Sequence, residues 1–124
     1  MREEKIPCTK EAILQYIRQY RGVSFVELTR RVDGGKGDWE MALFGGSLVL
    51  WTGLSKPLID LLTSLREEKA IVCVPGPSLV YMIDGEMLHL PIAKCYKAYK
   101  EPHWLPCTWS AFEHLSPKIQ KMLK

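Results

Sequence analysis

Residues 57–74 read PLIDLLTSLREEKAIVCV. Leu58, Leu61, Leu62 and Leu65 recur at the spacing of one helix face, while Lys56, Asp60, Thr63, Ser64 and Glu67 fall on the other. Ser55 stands where an N-cap belongs, and Pro57 is tolerated in a first turn. The spacing predicts a helix over Ser55–Lys69. A β-rich run, Ala70–Val74, follows without a linker. Pro75-Gly76-Pro77-Ser78 and a second apolar run, Leu79–Ile83, then predict a hairpin with a rigid tip.

Upstream, Thr9 can cap a helix over Thr9–Arg21, whose apolar face is Ile13, Ile17 and Tyr20 and which ends before Gly22. Val23-Ser24-Phe25 is a stub of extended chain. Ser24 then caps a second helix, Phe25–Val32, with Glu27 placed to answer the cap. Three glycines within Asp33–Asp38 make a turn, and Trp39–Leu43 has no decided period. Ser47–Thr52 reads as a buried strand between Gly45-Gly46 and Gly53. Downstream, Asp84-Gly85 is a turn and Met87–Leu90 a short strand. Pro91–Thr108 reads as an extended arm anchored by Tyr96, Tyr99 and Trp104, and Ser110–Leu123 as a terminal amphipathic helix interrupted at Pro117.

Helix, stub strand, helix, strand, helix, hairpin is the element order of a winged-helix domain. The fold class is therefore α+β: three helices on a small antiparallel sheet with a wing, extended by a C-terminal arm and helix. Residues 1–90 form the winged-helix-like part, and 91–124 the arm and helix packed on it. Residues 57–74 resemble the junction of helix 3 and wing in winged-helix regulators. One departure is clear. A helix-turn-helix joins its helices through three or four residues, whereas residues 33–54 separate helices 2 and 3 here. EAILQYIRQYRGVSFVEL (11–28), GSLVLWTGLSKPLIDLLTSLREEKAI (46–71) and YMIDGEMLHLPIAKCYKAYKEPHWLPC (81–107) resemble a family of small proteins carried by phages, pathogenicity islands and other mobile elements of Gram-positive bacteria. The resemblance covers about three-quarters of the chain. It implies a winged-helix-like fold, a bacterial cytoplasmic setting and a role in the element's control or replication, with no catalytic residues to carry over.

Composition narrows the classes. The chain has 124 residues, 47% hydrophobic and 25% charged, as expected of one globular domain rather than a disordered chain. The longest uncharged stretch, Met41–Ser55, contains three glycines and is too short to span a bilayer, so no membrane partner is expected. MREEKIPCTK has no apolar core of the kind a secretion signal needs, which again points to the cytoplasm. Cys8, Cys73, Cys95 and Cys107 show no C-x-x-C pair and read as reduced thiols. Cys95, His103 and Cys107 lack the paired spacing of a structural zinc site, so no metal is expected. Gly34-Gly35-Lys36-Gly37 follows a helix and lacks the spacing of a phosphate loop, and no hydrolase or zinc-protease motif is present. His89, His103 and His114 have no nucleophile or carboxylate set beside them in sequence. The reading is a non-enzyme without cofactors.

Two functions compete. The net charge of +3 is spread toward the ends, with six basic and two acidic residues in 91–124. Arg30, Arg31 and Lys36 close helix 2; Ser55, Lys56 and Thr63 lie on the exposed face of helix 3; Lys94, Lys97 and Lys100 alternate with Tyr96 and Tyr99. Phosphate contacts need such cations on one face, and lysines interleaved with aromatics suit a backbone-tracking arm or stacking on single strands. The first expectation is thus a regulatory or replication-accessory binder of double- or single-stranded DNA. Against specific readout, helix 3 balances its charges and the chain has no asparagine. The alternative is a protein–protein adaptor on the same scaffold. Trp39, Trp51, Trp104 and Trp109, and an apolar patch from Met41, Leu43 and Phe44, would supply contacts, and the terminal helix could pair two copies into a homodimer. The readings part on geometry. A DNA binder gathers Arg30, Arg31, Lys36, Lys56 and the arm lysines on one face; an adaptor gathers exposed apolar side chains and scatters the lysines.

Overall fold

Each of the first three helices starts where a short polar side chain can take an orphan N–H. Thr9 Oγ1 accepts from Ala12 N at 3.2 Å, Ser24 Oγ from Glu27 N at 3.0 Å and Ser55 Oγ from Leu58 N at 3.3 Å. Such caps contribute about 1 kcal/mol apiece. A computed structural model describes residues 5–76 and 78–122. In it α1 is Lys10–Gln19, α2 Phe25–Arg31 and α3 Lys56–Glu67, all within two residues of the sequence expectation. Glu27 does not return to the Ser24 backbone; its carboxylate accepts from the Tyr16 hydroxyl of α1, tying the two helices.

Residues 33–54 fold as a hairpin. β1 (Lys36–Leu43) turns through a 3-10 segment, Phe44–Gly46, into β2 (Leu48–Leu54). Gly37 is required: a Cβ there would sit 2.6 Å from Ser55 Cα and 2.7 Å from the Leu54 carbonyl oxygen. β2 is buried along most of its length and also pairs in parallel with the two-residue β4 (His103–Trp104), giving the sheet order β1-β2-β4.

β3 (Ile71–Pro75) departs from expectation in its partner. Leu79–Ile83 is not the returning strand of a hairpin; it is helical, α4 spanning Leu79–Asp84. β3 pairs antiparallel with β5 (Cys107–Ala111), and the stub at Val23 bridges the far side of β5 at Trp109. The expected strand Met87–Leu90 is irregular chain. The arm expected to be extended over 91–108 is instead irregular, bent at residues 94–97 and 100–101, and its last residues enter β4 and β5. The terminal helix over 110–123 is also corrected. Ser110 and Ala111 belong to β5, and α5 covers only Pro117–Met122. Leu123, like Pro77 of the expected tip, lies outside the described residues.

A helix of six residues does not hold itself in water, so α4 depends on its anchors. Tyr81 is fully buried, stacks on Trp51 at 4.9 Å between centroids and meets Trp104 edge-on at 5.1 Å. Its hydroxyl donates to the Cys107 carbonyl at 2.7 Å and accepts from Phe25 N at 3.2 Å. Gly85 closes the helix at φ +87°, a left-handed conformation that glycine adopts without strain. The rest of the core joins Ile13 and Ile17 of α1, Leu28 of α2 and Leu58, Leu62 and Leu65 of α3 to Trp104 and Trp109.

Candidate interaction surfaces

The expected basic residues divide into two groups. Arg30 reaches α4, donating to the Asp84 carbonyl at 2.9 Å and pairing with Glu86 at 3.1 Å. A cation at that end also suits the helix dipole. Lys36 opens β1 and is exposed, and it lines a shallow pocket together with Glu86. The Arg31 guanidinium lies 6.0 Å from the Tyr16 ring centroid. Lys56 pairs with Asp60 at 2.8 Å and lies 5.8 Å from the Trp39 ring centroid. Ser55 is buried and its hydroxyl is occupied by the cap of α3, so it is not presented to a partner. Thr63 is half-buried. The start of α3 is further hemmed in by residues 33–39, since Ser55 N donates to the Gly35 carbonyl at 2.9 Å. The inserted hairpin therefore occupies the ground beside the helix end that a major groove would need.

Lys94, Lys97 and Lys100 stand at the other end of that hairpin, separated from Lys36 by the length of β1, roughly 20 Å at strand rise. All three are exposed. The arm that carries them is fixed by Tyr99. Its hydroxyl accepts from Lys94 N at 3.2 Å and Cys95 N at 3.1 Å, its ring stacks on His103 at 3.9 Å, and its backbone N–H donates to Ser47 Oγ at 3.1 Å. Lys97 lies 5.1 Å from the Tyr99 ring centroid, and the exposed Tyr96 meets the exposed Phe44 edge-on at 5.4 Å.

Exposed apolar side chains gather elsewhere. Leu79, Met82 and Ile83, spaced i, i+3 and i+4 on α4, are 57%, 59% and 75% exposed, and Met87 just beyond is also exposed. Sequence reading missed this face because it placed the run in a strand. The signal that marks it is Gly85 directly after Asp84, a helix C′ glycine. Met41 and Leu43 of the expected apolar patch are instead partly buried against the core, leaving Phe44 exposed.

A second apolar feature is a groove of about 360 Å³ beside β3. Cys73 and Cys107 meet in its wall, with Cys73 Sγ donating to Cys107 Sγ at 2.8 Å. That contact, with burial, raises the pKa of Cys73 well above the ordinary thiol value, so it stays protonated and unreactive at neutral pH. Among the described residues no three metal-ligating side chains come together, and no helix is long and apolar enough to cross a membrane. No family model, curated protein or solved structure matches the chain.

Proposed function

We propose that the chain is a non-catalytic protein-interaction module on a winged-helix-like scaffold, working in the bacterial cytoplasm as part of a mobile element. The winged-helix reading is supported by the order of α1, α2 and α3 and by the sheet Val23–β5–β3, in which the stub pairs with the returning strand of the wing. Residues 33–54 and 76–106 are then two insertions, one beside helix 3 and one enlarging the wing. The setting rests on the resemblance of the chain to mobile-element proteins.

The observation that carries the function is the apolar face of α4. Leaving a Leu, Ile or Met side chain in water forgoes about 1.5–3 kcal/mol of burial. Leu79, Met82 and Ile83 forgo much of it together on a helix pinned by Tyr81. Such a face meets the apolar side chains of a partner protein, and methionine adapts to their shape. Arg30 and Lys56, meanwhile, are answered by the Asp84 carbonyl and Glu86 and by Asp60.

A second reading, nucleic-acid binding, is favoured by the arm alone. Lys94, Lys97 and Lys100 flank Tyr96 and Tyr99 on a fixed backbone, which suits single strands. Binding of labelled duplex and single-stranded DNA at about 50 and about 200 mM salt separates the readings. The interaction module predicts no duplex binding that falls with salt. Three phosphate contacts from the arm would give a single-strand salt slope of about −2, a loss of about twentyfold across that range. Micromolar duplex binding that collapses with salt overturns the proposal.

A further inference from the structure

Among the described residues no strand pairs with the outer edge of β3, where Ile71 is fully buried, Cys73 partly exposed and Pro75 exposed. Residues of an antiparallel pair turn their N–H and C=O groups alternately to one side and the other. Trp109 exchanges both of its bonds with Val23. Thr108 and Ser110 must therefore face β3, opposite Val74 and Val72. The Ala70 carbonyl accepts from Phe112 N, and Gly76 N donates to the Pro106 carbonyl, on that same inner side. By alternation Ile71 and Cys73 direct their N–H and C=O groups, and Pro75 its C=O, away from β5. Among the described residues no other strand pairs with β3. Proline at Pro75 is consistent with an edge, where it withholds no ladder bond.

Beside this edge lies the 360 Å³ groove. Its walls are mostly aliphatic, with Leu43, Leu50 and Leu105 facing β3 and Tyr96 and Phe112 among them. Arg66 and Lys69, from the end of α3 and the turn after it, also line it; both are exposed, and no acidic residue is among the lining side chains. Among the described residues neither cation is bonded to a carboxylate. Lys69 is held at φ +62°, in the turn that delivers the chain into β3.

We propose that the β3 edge and its groove bind an extended peptide segment of a partner protein, with apolar side chains at alternate positions and acidic side chains between them. The backbone of the segment would pair with Cys73 and with the Pro75 carbonyl, beyond the buried Ile71; its apolar side chains would enter the groove, and its carboxylates would meet Arg66 and Lys69. Strand addition takes affinity from main-chain bonds and specificity from alternate side chains. A nucleic-acid strand is the poorer fit, because a row of backbone donors and acceptors with aliphatic walls offers bases little to stack on. The inference rests on the reading of the chain as an interaction module, and names the chemistry of one partner.

The test uses the full chain and a fluorescein-labelled peptide alternating valine with glutamate, with a valine–lysine peptide and oligo-dT as comparisons. Anisotropy should show the valine–glutamate peptide binding at micromolar concentration. Double substitution of Arg66→Glu and Lys69→Glu should weaken it at least about tenfold, about 1.4 kcal/mol. Amide exchange at Cys73 should slow at least about tenfold in the complex. Cys73→Pro, which removes an outward N–H and no ladder bond, should weaken binding likewise; the exposed Arg66 and Lys69 variants keep the test decisive if that variant does not fold. No binding of the valine–glutamate peptide at about 1 mM overturns the proposal, as does equal binding of the valine–lysine peptide. Displacement of the peptide by oligo-dT reassigns the groove to nucleic acid. A protein contact through α4 that persists while the peptide fails would sink this inference alone and leave the module reading standing.

Discussion

Tyr81→Phe keeps the ring that stacks on Trp51 and Trp104 and deletes only the hydroxyl. Two buried groups then lose their partner, the Cys107 carbonyl at 2.7 Å and the Phe25 N–H at 3.2 Å. The Cys107 carbonyl has no ladder partner to fall back on: like Trp109 it faces the Val23 side of β5, and there the Tyr81 hydroxyl stands between it and Phe25 N. A buried group left unsatisfied costs about 1–3 kcal/mol, so the pair should cost about 2–4 kcal/mol after some relaxation. That is a large share of the 5–15 kcal/mol typical of a domain. For a chain of this size it lowers Tm by about 6–20 °C. Urea denaturation followed by tryptophan fluorescence and far-ultraviolet circular dichroism measures it, and near-ultraviolet dichroism of the native protein should change little because the aromatic stack remains. A loss below about 1 kcal/mol would mean that the hydroxyl does not serve both groups, and the account of how α4 is held in place would fail.

Other substitutions and conditions have equally definite outcomes. Gly37→Ala forces a methyl against the backbone of Leu54 and Ser55; overpacking should cost about 1–3 kcal/mol by urea midpoint. Ile83→Glu should leave stability within about 0.5 kcal/mol, since the side chain is 75% exposed and touches little; a larger loss would show that the face is already buried. Arg30→Ala should cost at most about 1 kcal/mol, as its ion pair is exposed, while speeding amide exchange at Gly85 and Glu86, which hold the end of α4. For pH, burial raises Tyr81 and Tyr16 above the ordinary tyrosine value, with the Glu27 carboxylate adding to the rise at Tyr16. A folded-state pKa above the unfolded one gives stability that is complete below about pH 10 and lost as pH climbs past it. Urea midpoints should therefore begin to fall near about pH 10 and keep falling above it, and Tyr16→Phe should flatten part of that fall; an unchanged slope would contradict the burial of its phenol.

The sequence carried the helices because their signals are local. Thr9, Ser24 and Ser55 are caps within three residues of the N–H groups they satisfy, and the leucines of α3 repeat within one element. The strands carry fewer such signals. β1 is exposed along most of its length and contains a glycine and a lysine, so its partner, β2, rather than its own pattern makes it a strand. β5 does alternate, with Cys107, Trp109 and Ala111 inward, but its last two residues were absorbed into an expected helix. Leu79–Ile83 is apolar throughout, and a short apolar run does not distinguish strand from helix by period. Tyr81 settles it through contacts with Trp51 and Trp104, far away in sequence. The surface was harder still. Arg30 finds the Asp84 carbonyl and Glu86 across the fold, so one cation of a cluster that looks bare in sequence is paired in space.

The central claim, that α4 presents its apolar face to a protein, is tested most directly by a light-activated cross-linking residue at position 83 of the full chain in growing cells. Position 67, an exposed charged site on α3, is the control. The account predicts one discrete protein adduct from position 83 that is suppressed by Met82→Glu and absent from position 67. Adducts no more frequent from position 83 than from position 67, or unaffected by Met82→Glu, would contradict it.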